Sequence, residues 1–229
     1  MKTYAILLAS GTGTRFGGEI PKQFVRVDDR MIVEYAIEAC VASVAVDEIV
    51  VVVPDGYLTM MNAAVVRRKY IKPVKIVRGG CSRRQSALMG LQAIADDEAK
   101  VLIHNAVQPF VADDVFSACA AAFDRYDAVT VGVPLVYTVL EMDENRVVRR
   151  MVDRRRSVND LGPECFRLSF IRKIFDLAGP DDSFTNLNGM VMKYSAAPIY
   201  VVEGDPSNMK ITYAEDVALA RRLLKKEDR

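Results

Sequence analysis

The sequence predicts a doubly wound α/β domain built on a mostly parallel sheet, and three observations carry that prediction. Short apolar runs recur along the chain and stop at glycine, proline or polar residues, as buried parallel strands do. Segments with helical spacing lie between those runs. The first run opens directly into a glycine loop, Ser10-Gly11-Thr12-Gly13.

The strands are read in order. Residues 4–9 (YAILLA) form the first, residues 48–53 (EIVVVV) the second and residues 101–104 (VLIH) the third. Residues 128–133 (AVTVGV) and 198–202 (PIYVV) complete the set. Helical spacing joins Ile32, Ala36, Ile37 and Cys40 on one face of residues 32–44. Leu88, Leu91 and Ile94 do the same in residues 84–94, and residues 115–123 and 214–224 follow suit.

One segment breaks the alternation. From Pro134 to Asn159, apolar pairs alternate with charges, and Asp143-Glu144-Asn145 reads as a hairpin turn between two exposed strands. We expect a β-arm over about 134–159 that reaches a second subunit, a solvated loop insertion being the alternative. Repeats, low-complexity segments and linkers are absent from the sequence, so residues 1–229 are read as a single domain carrying that arm.

The formal net charge of +1 gives no electrostatic case for nucleic acid as the main partner. Cys40, Cys81, Cys119 and Cys165 are scattered without a CxxC pair, which reads as reduced thiols. No apolar run approaches the length of a membrane span, and the opening run is too short for a signal-peptide core. A cytoplasmic protein with no membrane partner is expected.

The chemistry is concentrated in the first loop, Ala9-Ser10-Gly11-Thr12-Gly13-Thr14-Arg15-Phe16. Glycines at 11 and 13 let backbone N–H groups face a phosphate without a Cβ in the way. A P-loop would end in Gly-Lys-Ser/Thr, which is missing here. A dinucleotide fold would need a third glycine where Phe16 stands, and Asp55 comes too late to serve as its ribose-binding acid. Arg15 and Lys22 instead flank the loop, placing two cations where a triphosphate under in-line attack gathers charge. The run Gly79-Gly80-Cys81-Ser82-Arg83-Arg84-Gln85-Ser86, taken alone, is a helix N-terminus with an anion preference.

Residues 8–24 (LASGTGTRFGGEIPKQF) resemble the signature of the methylerythritol-phosphate and ribitol-phosphate cytidylyltransferases. Residues 79–86 are similar to that family's GG-x-x-R-x-x-S motif, and the likeness extends over essentially the whole chain. The resemblance implies a Rossmann-like nucleotidyltransferase fold, a homodimer through the arm, and transfer from CTP to a small polyol phosphate with release of pyrophosphate. Magnesium is the implied cofactor. Carried over residue by residue, Ala9, Ser10, Gly11, Gly13, Arg15 and Lys22 would hold the triphosphate, Arg15 and Lys22 catalytically. Gly80 and Ser86 would read the cytosine edge and Arg83 a phosphate. Thr138 and Arg154 in the arm would hold the polyol phosphate of the neighbouring subunit, joined by Lys210 from Asn208-Met209-Lys210-Ile211-Thr212.

The departures fall inside the motifs. The family's metal-binding aspartate after the histidine is Asn105, and the arginine three residues later is Gln108. Its arm aspartate is Tyr137, its TPQ is Gly162-Pro163-Glu164, and its TDE is Thr185-Asn186-Leu187. Asn105 can offer Mg²⁺ only a neutral oxygen. Asp216 is the acid whose position suggests a replacement, and the lone His104 reads as structural. Two expectations stay open: a cytidylyltransferase with a rearranged metal site, or a nucleotide-binding homologue with weak or no catalysis. A purine or thymidine sugar nucleotidyltransferase is disfavoured by the Gly80…Ser86 motif. The polyol is left open, because residues 152–154 (VDR) fit the methylerythritol branch and residues 103–110 (IHNAVQPF) the ribitol branch.

Overall fold

The structure is a computed structural model that describes residues 1–13, 15–179 and 184–227. Thr14, within the glycine loop, lies outside the described residues. The first half runs β1 (Thr3–Leu8), β2 (Arg26–Val27), β3 (Arg30–Met31), α1 (Ile32–Ala42), β4 (Glu48–Val53), α2 (Leu58–Arg68), β5 (Val74–Arg78) and α3 (Arg83–Gln92). It continues with β6 (Lys100–Asn105), α4 (Asp113–Ala122), β7 (Ala128–Pro134), β8 (Leu140–Met142) and β9 (Val148–Met151). The remainder is β10 (Val158–Arg167), α5 (Leu168–Leu177), α6 (Leu187–Tyr194), β11 (Ile199–Glu203) and α7 (Asp216–Glu227).

Seven strands form one sheet in the order β11-β7-β10-β6-β1-β4-β5. β6, β1, β4 and β5 pair in parallel, as do β7 and β11, while β10 runs antiparallel between β6 and β7. The expected doubly wound sheet is therefore present, with two strands more than the five read from sequence. β5 is only half-buried and carries two charges, so it lacks the apolar run that marked the others. β10 is interrupted by Gly162-Pro163 and by a shift of register between Asp160 and Glu164, which erases its period.

Alternation along the strands divides the core in two. Ala5 and Leu7 of β1 join Ile49, Val51 and Val53 of β4 beneath α1, α2 and α4. Tyr4 and Ile6 join Val50 and Val52 beneath α3, α5 and α6 on the opposite face. Both faces being covered explains why these strands read as continuous apolar runs. A smaller cluster of Val27, Ile32, Val107, Phe110, Ile211 and Ala220 ties α7 to the loops at the strand ends.

From β1 the chain moves outward to β4 and β5, then crosses back to β6 on the other side of β1. Leu8 and Asn105 are register partners at the carboxyl ends of β1 and β6, so the crevice of the topological switch opens between them. Ligands of open α/β sheets settle at such a point.

Residues 134–159 contain the expected hairpin. β8 and β9 form a separate antiparallel hairpin whose turn is closed by Asp143 Oδ1 accepting from the Asn145 and Val147 amides at 3.0 Å. Leu140, Met142, Val148 and Met151 are all exposed on it. Its return arm becomes β10, so the insertion is anchored in the main sheet at both ends.

A buried carboxylate fastens α1 to α2. Glu34 is fully buried and accepts from the Met31 amide at 2.8 Å, Arg68 Nε at 2.8 Å and Arg67 Nη2 at 3.1 Å. Burial alone pushes its pKa up, but Arg68, the Met31 amide and Arg67 together hold it below the ordinary 4.5. Its stabilising effect is thus complete above the unfolded value and is lost as pH falls through the lower folded value. Glu34→Gln is expected to lower the unfolding free energy by about 2 kcal/mol at neutral pH, and the gap to wild type should close in strong acid. Denaturant titrations at neutral and acid pH check both outcomes.

Candidate active site

The glycine loop leaves β1 at the switch point and is held from behind. Gln23, buried, donates its amide to the Ala9 carbonyl at 2.6 Å and the Gly11 carbonyl at 2.8 Å. Gly13 turns through φ +70°, a conformation open to glycine, and its carbonyl accepts from the Phe16 amide at 2.8 Å. The loop's N–H groups are thereby shaped without using the cavity in front of them. On the far wall, Ser82 Oγ caps α3 by accepting from the Gln85 amide at 3.1 Å, so the helix N-terminus faces the same space. A Cβ on Gly79 would stand 2.6 Å from Ser10 Cβ, which is why glycine is needed where the two loops meet.

The two loops enclose a cavity of about 330 Å³. Ser10, Gly11, Gly13, Arg15, Lys22, Gly80, Arg83, Asn105 and Lys210 all line it. Residues about 200 apart in sequence are drawn together because the Ile211 amide donates to the Val107 carbonyl at 2.9 Å and Lys22 Nζ donates to the Ile211 carbonyl at 2.7 Å. Asp216 accepts from the Thr212 and Tyr213 amides at 2.7 and 2.8 Å. It therefore fixes the loop that presents Lys210 and does not act as a replacement acid in the cavity.

Two residues expected in the nucleotide site stand behind its wall. Ala9 is buried and contributes its carbonyl to Gln23. Ser86 is also buried; its hydroxyl accepts from Ser10 Oγ at 2.7 Å and pairs with the Gly80 backbone. Its function in this geometry is to set the Gly80 loop, leaving Gly80 and Ser10 at the surface of the cavity. The sequence reading missed Gln23, which lay in the quoted motif without a role, and Glu164, which it noted as a departure and assigned no function.

A second cavity of about 310 Å³ shares Arg83, Asn105 and Lys210 with the first. Gln108, Asp160, Glu164, Thr185 and Asn186 complete its polar lining. Gln108 is buried, donates to the Leu161 and Asn208 carbonyls at 2.9 and 3.2 Å, and accepts from Asn105 Nδ2 at 2.6 Å. His104 is fully enclosed, with Nε2 2.8 Å from the Gln108 carbonyl. Burial pushes its pKa down to about 4, so it is neutral and shapes the turn, the structural role expected of it. Thr138 and Arg154 line neither cavity of their own chain and are exposed on the arm.

The electrostatics of the first cavity are one-sided. Burial, then Lys210, then Arg15 lower Lys22 from 10.5 to about 8. Partial desolvation, then Arg83 and Arg15, lower Lys210 as well, with Glu164 acting in the opposite direction. Among the described residues, no carboxylate lines this cavity. With its nitrogen committed to Gln108, Asn105 has one neutral oxygen to offer, and no group of three His, Cys, Asp or Glu is gathered for a metal among the described residues. Among the described residues this cavity therefore offers magnesium one neutral amide oxygen and no carboxylate, less than a protein ordinarily supplies when it helps to hold Mg²⁺.

Relatives resolve what geometry alone leaves open. The IspD family model, 2-C-methyl-D-erythritol 4-phosphate cytidylyltransferase, matches residues 3–226. The chain belongs to the 2-C-methyl-D-erythritol 4-phosphate cytidylyltransferase family. It is 34% identical to the enzyme of that name from Thermobifida fusca, over 96% of this chain and 92% of the relative. It is 35% identical to that of Bifidobacterium longum, over 96% of this chain and 79% of the relative. In fold it is similar to 4-diphosphocytidyl-2C-methyl-D-erythritol synthase of Anaerococcus prevotii (TM-score 0.86, 24% identity, 98% and 96% of the two chains). It is likewise similar to the Thermus thermophilus cytidylyltransferase (TM-score 0.76, 23% identity, 98% and 100%).

Lys22 gives the cavity a measurable pH dependence. A polyanion favours the charged lysine, so affinity is full below the free-state value and declines above it. Calorimetry with inorganic triphosphate is expected to show binding that weakens as pH rises through about 8. Lys22→Arg, which stays charged, should flatten that decline.

Proposed function

We propose that this chain transfers the cytidylyl group of CTP to 2-C-methyl-D-erythritol 4-phosphate, giving the cytidine diphosphate derivative and pyrophosphate. The observation that carries this reading is the convergence of Arg15, Lys22, Arg83 and Lys210 on a cavity at the switch point, beside a second cavity rich in hydrogen-bonding groups. The triphosphate lies along Gly11, Gly13, Arg15 and Lys22, and the cytosine along Gly80 and Ser10. A Cβ on Gly79 would collide with Ser10 and one on Gly80 with Gln85, so the two glycines keep this wall of backbone close-packed beside the base.

The polyol phosphate occupies the second cavity, with its phosphate at Asn105 and Lys210 on the shared wall, while Arg83 on the same wall turns to the nucleotide phosphates. A phosphate oxygen attacks the α-phosphorus of CTP, a new P–O bond forms, and the bond to the bridging oxygen of the leaving pyrophosphate breaks. An ionised phosphate nucleophile needs no general base, in keeping with a buried, neutral His104. Arg15 and Lys22 meet the charge that grows on the pentacoordinate phosphorus and the leaving group. Asp160, Thr185 and Asn186 provide acceptors and donors for polyol hydroxyls. No step is assigned to magnesium, since no carboxylate among the described residues lines the first cavity.

Residues 1–229 act as one domain in this reading, and the arm completes the site in a homodimer. An isolated two-stranded hairpin is marginal in water, and Leu140, Met142, Val148 and Met151 would stay exposed without a covering partner. Thr138 and Arg154 then reach the polyol phosphate of the second protomer. The location is cytoplasmic, supported by four unpaired cysteines and by the absence, among the described residues, of a helix long and apolar enough to cross a membrane.

Pyrophosphate release from CTP, assayed with methylerythritol, ribitol, glycerol and sugar phosphates, tests the reaction. Release is expected with 2-C-methyl-D-erythritol 4-phosphate, and silence across the panel would sink the enzyme reading. Arg15→Met should lower kcat/KM by about 100- to 1,000-fold while the thermal midpoint stays put, because Arg15 is exposed. For the arm, Arg154→Ala is expected to raise KM for the polyol phosphate by at least about tenfold and to leave CTP affinity unchanged. Equal losses in both would place Arg154 elsewhere.

A further inference from the structure

Glu164 lies between the two cavities. It sits on β10, paired across to Ile103 of β6 and Thr130 of β7, immediately after the shift of register that follows Asp160. Its side chain is buried, and its two oxygens face different tasks. Oε2 accepts from Arg83 Nη2 at 2.5 Å. Oε1 accepts from the Leu187 amide at 2.6 Å and the Asn188 amide at 3.0 Å, the first N–H groups of α6.

We propose that Glu164 is a positioning residue that couples the two cavities, holding Arg83 for the nucleotide and the N-terminus of α6 for the polyol phosphate. The inference rests on the assignment of CTP to the first cavity. A buried carboxylate is tolerated only when charge and hydrogen bonds compensate it, so Arg83 cannot leave without stranding Glu164. The guanidinium has five donors in a fixed fork. One is given to Glu164, and the others remain for a phosphate oxygen.

The other end of the connection is equally specific. Asn186 caps α6 by accepting from the Gly189 amide at 3.0 Å and also donates its amide to Asp160. Both Asn186 and Asp160 line the second cavity. When a nucleotide phosphate fixes Arg83, the Arg83–Glu164 pair is fixed with it. The start of α6, and with it the wall that meets the polyol, is then held before the second substrate enters. Glutamine at this position would still accept from the two α6 amides, but its NH₂ would confront Arg83 donor to donor.

Hydrogen exchange on the wild-type chain tests the coupling, with calorimetry alongside to show that CTP is bound. Exchange at the Leu187 and Asn188 amides is expected to slow when CTP is added alone. Unchanged exchange under saturating CTP would overturn the proposal. No calorimetric binding would instead overturn the assignment of CTP. In that case ligand-free Arg83→Gln decides the coupling: faster exchange at Leu187 and Asn188 supports it, and unchanged exchange rejects it. The same comparison serves if Glu164→Gln does not fold. Where it folds, CTP should bind about tenfold more weakly than to wild type, with no further loss when Glu164→Gln is added to Arg83→Gln. An equal loss on both backgrounds would make Glu164 merely structural.

Discussion

Mutual repulsion among the cations at the end of β1 and β6 is the constraint around which the rest of the site is built. Arg15, Lys22, Arg83 and Lys210 line one cavity to which no carboxylate among the described residues contributes. Left alone, such a cluster would spread into solvent. It is retained because separate contacts fix three of its members from outside the cavity. The Ile211 carbonyl holds Lys22, Glu164 holds Arg83, and Asp216 closes the loop that bears Lys210. The depressed pKa of Lys22 is the signature of this arrangement, since burial and neighbouring positive charge both disfavour its proton. The negative charge of a polyanion offsets both effects at once. The energy withheld from the empty cavity reappears as preference for phosphate.

The sheet makes this possible because its switch point brings distant segments to one place. Leu8 and Asn105 end adjacent parallel strands, so the glycine loop and the turn at residues 105–108 emerge side by side. Backbone donors and side-chain cations then share one cavity. Gln23 illustrates how rigidity is supplied: two short hydrogen bonds to the Ala9 and Gly11 carbonyls hold the loop from behind. Pre-set donors stabilise developing charge better than donors that must reorganise.

Most of the parallel core was legible because strands covered on both faces leave continuous apolar runs, as residues 48–53 do. The cationic set was legible too, since Arg15 and Lys22 flank glycines at short range and Arg83 opens a capped helix. What escaped had no local period. β10 is broken at Gly162-Pro163, and β5 alternates weakly at a sheet edge. Ser86 was misplaced for a related reason: sequence gives its proximity to Gly80 but not the direction of its hydroxyl, which points into the loop. Glu164 escaped because its partners, Arg83 and Leu187, are 81 and 23 residues away.

The departures from the family pattern become coherent when their charges are followed in space. Asn105 and Gln108 replace an acid and a base with two neutral amides that hydrogen bond to each other at 2.6 Å. That exchange removes opposite charges together, so neither is left unpaired at the shared wall. The buried negative charge of the region lies instead on Glu164, behind Arg83, where it orients a cation. A carboxylate in that place cannot serve as a direct metal ligand while it holds Arg83 and α6. An ion accompanying the triphosphate would therefore be held by phosphate oxygens, and the protein's own stabilisation of the transferring phosphorus falls to guanidinium and ammonium groups. The changes at Asn105, Gln108 and Glu164 thus take a paired acid and base out of the shared wall and set a carboxylate behind Arg83, without dismantling the cation-lined cavity.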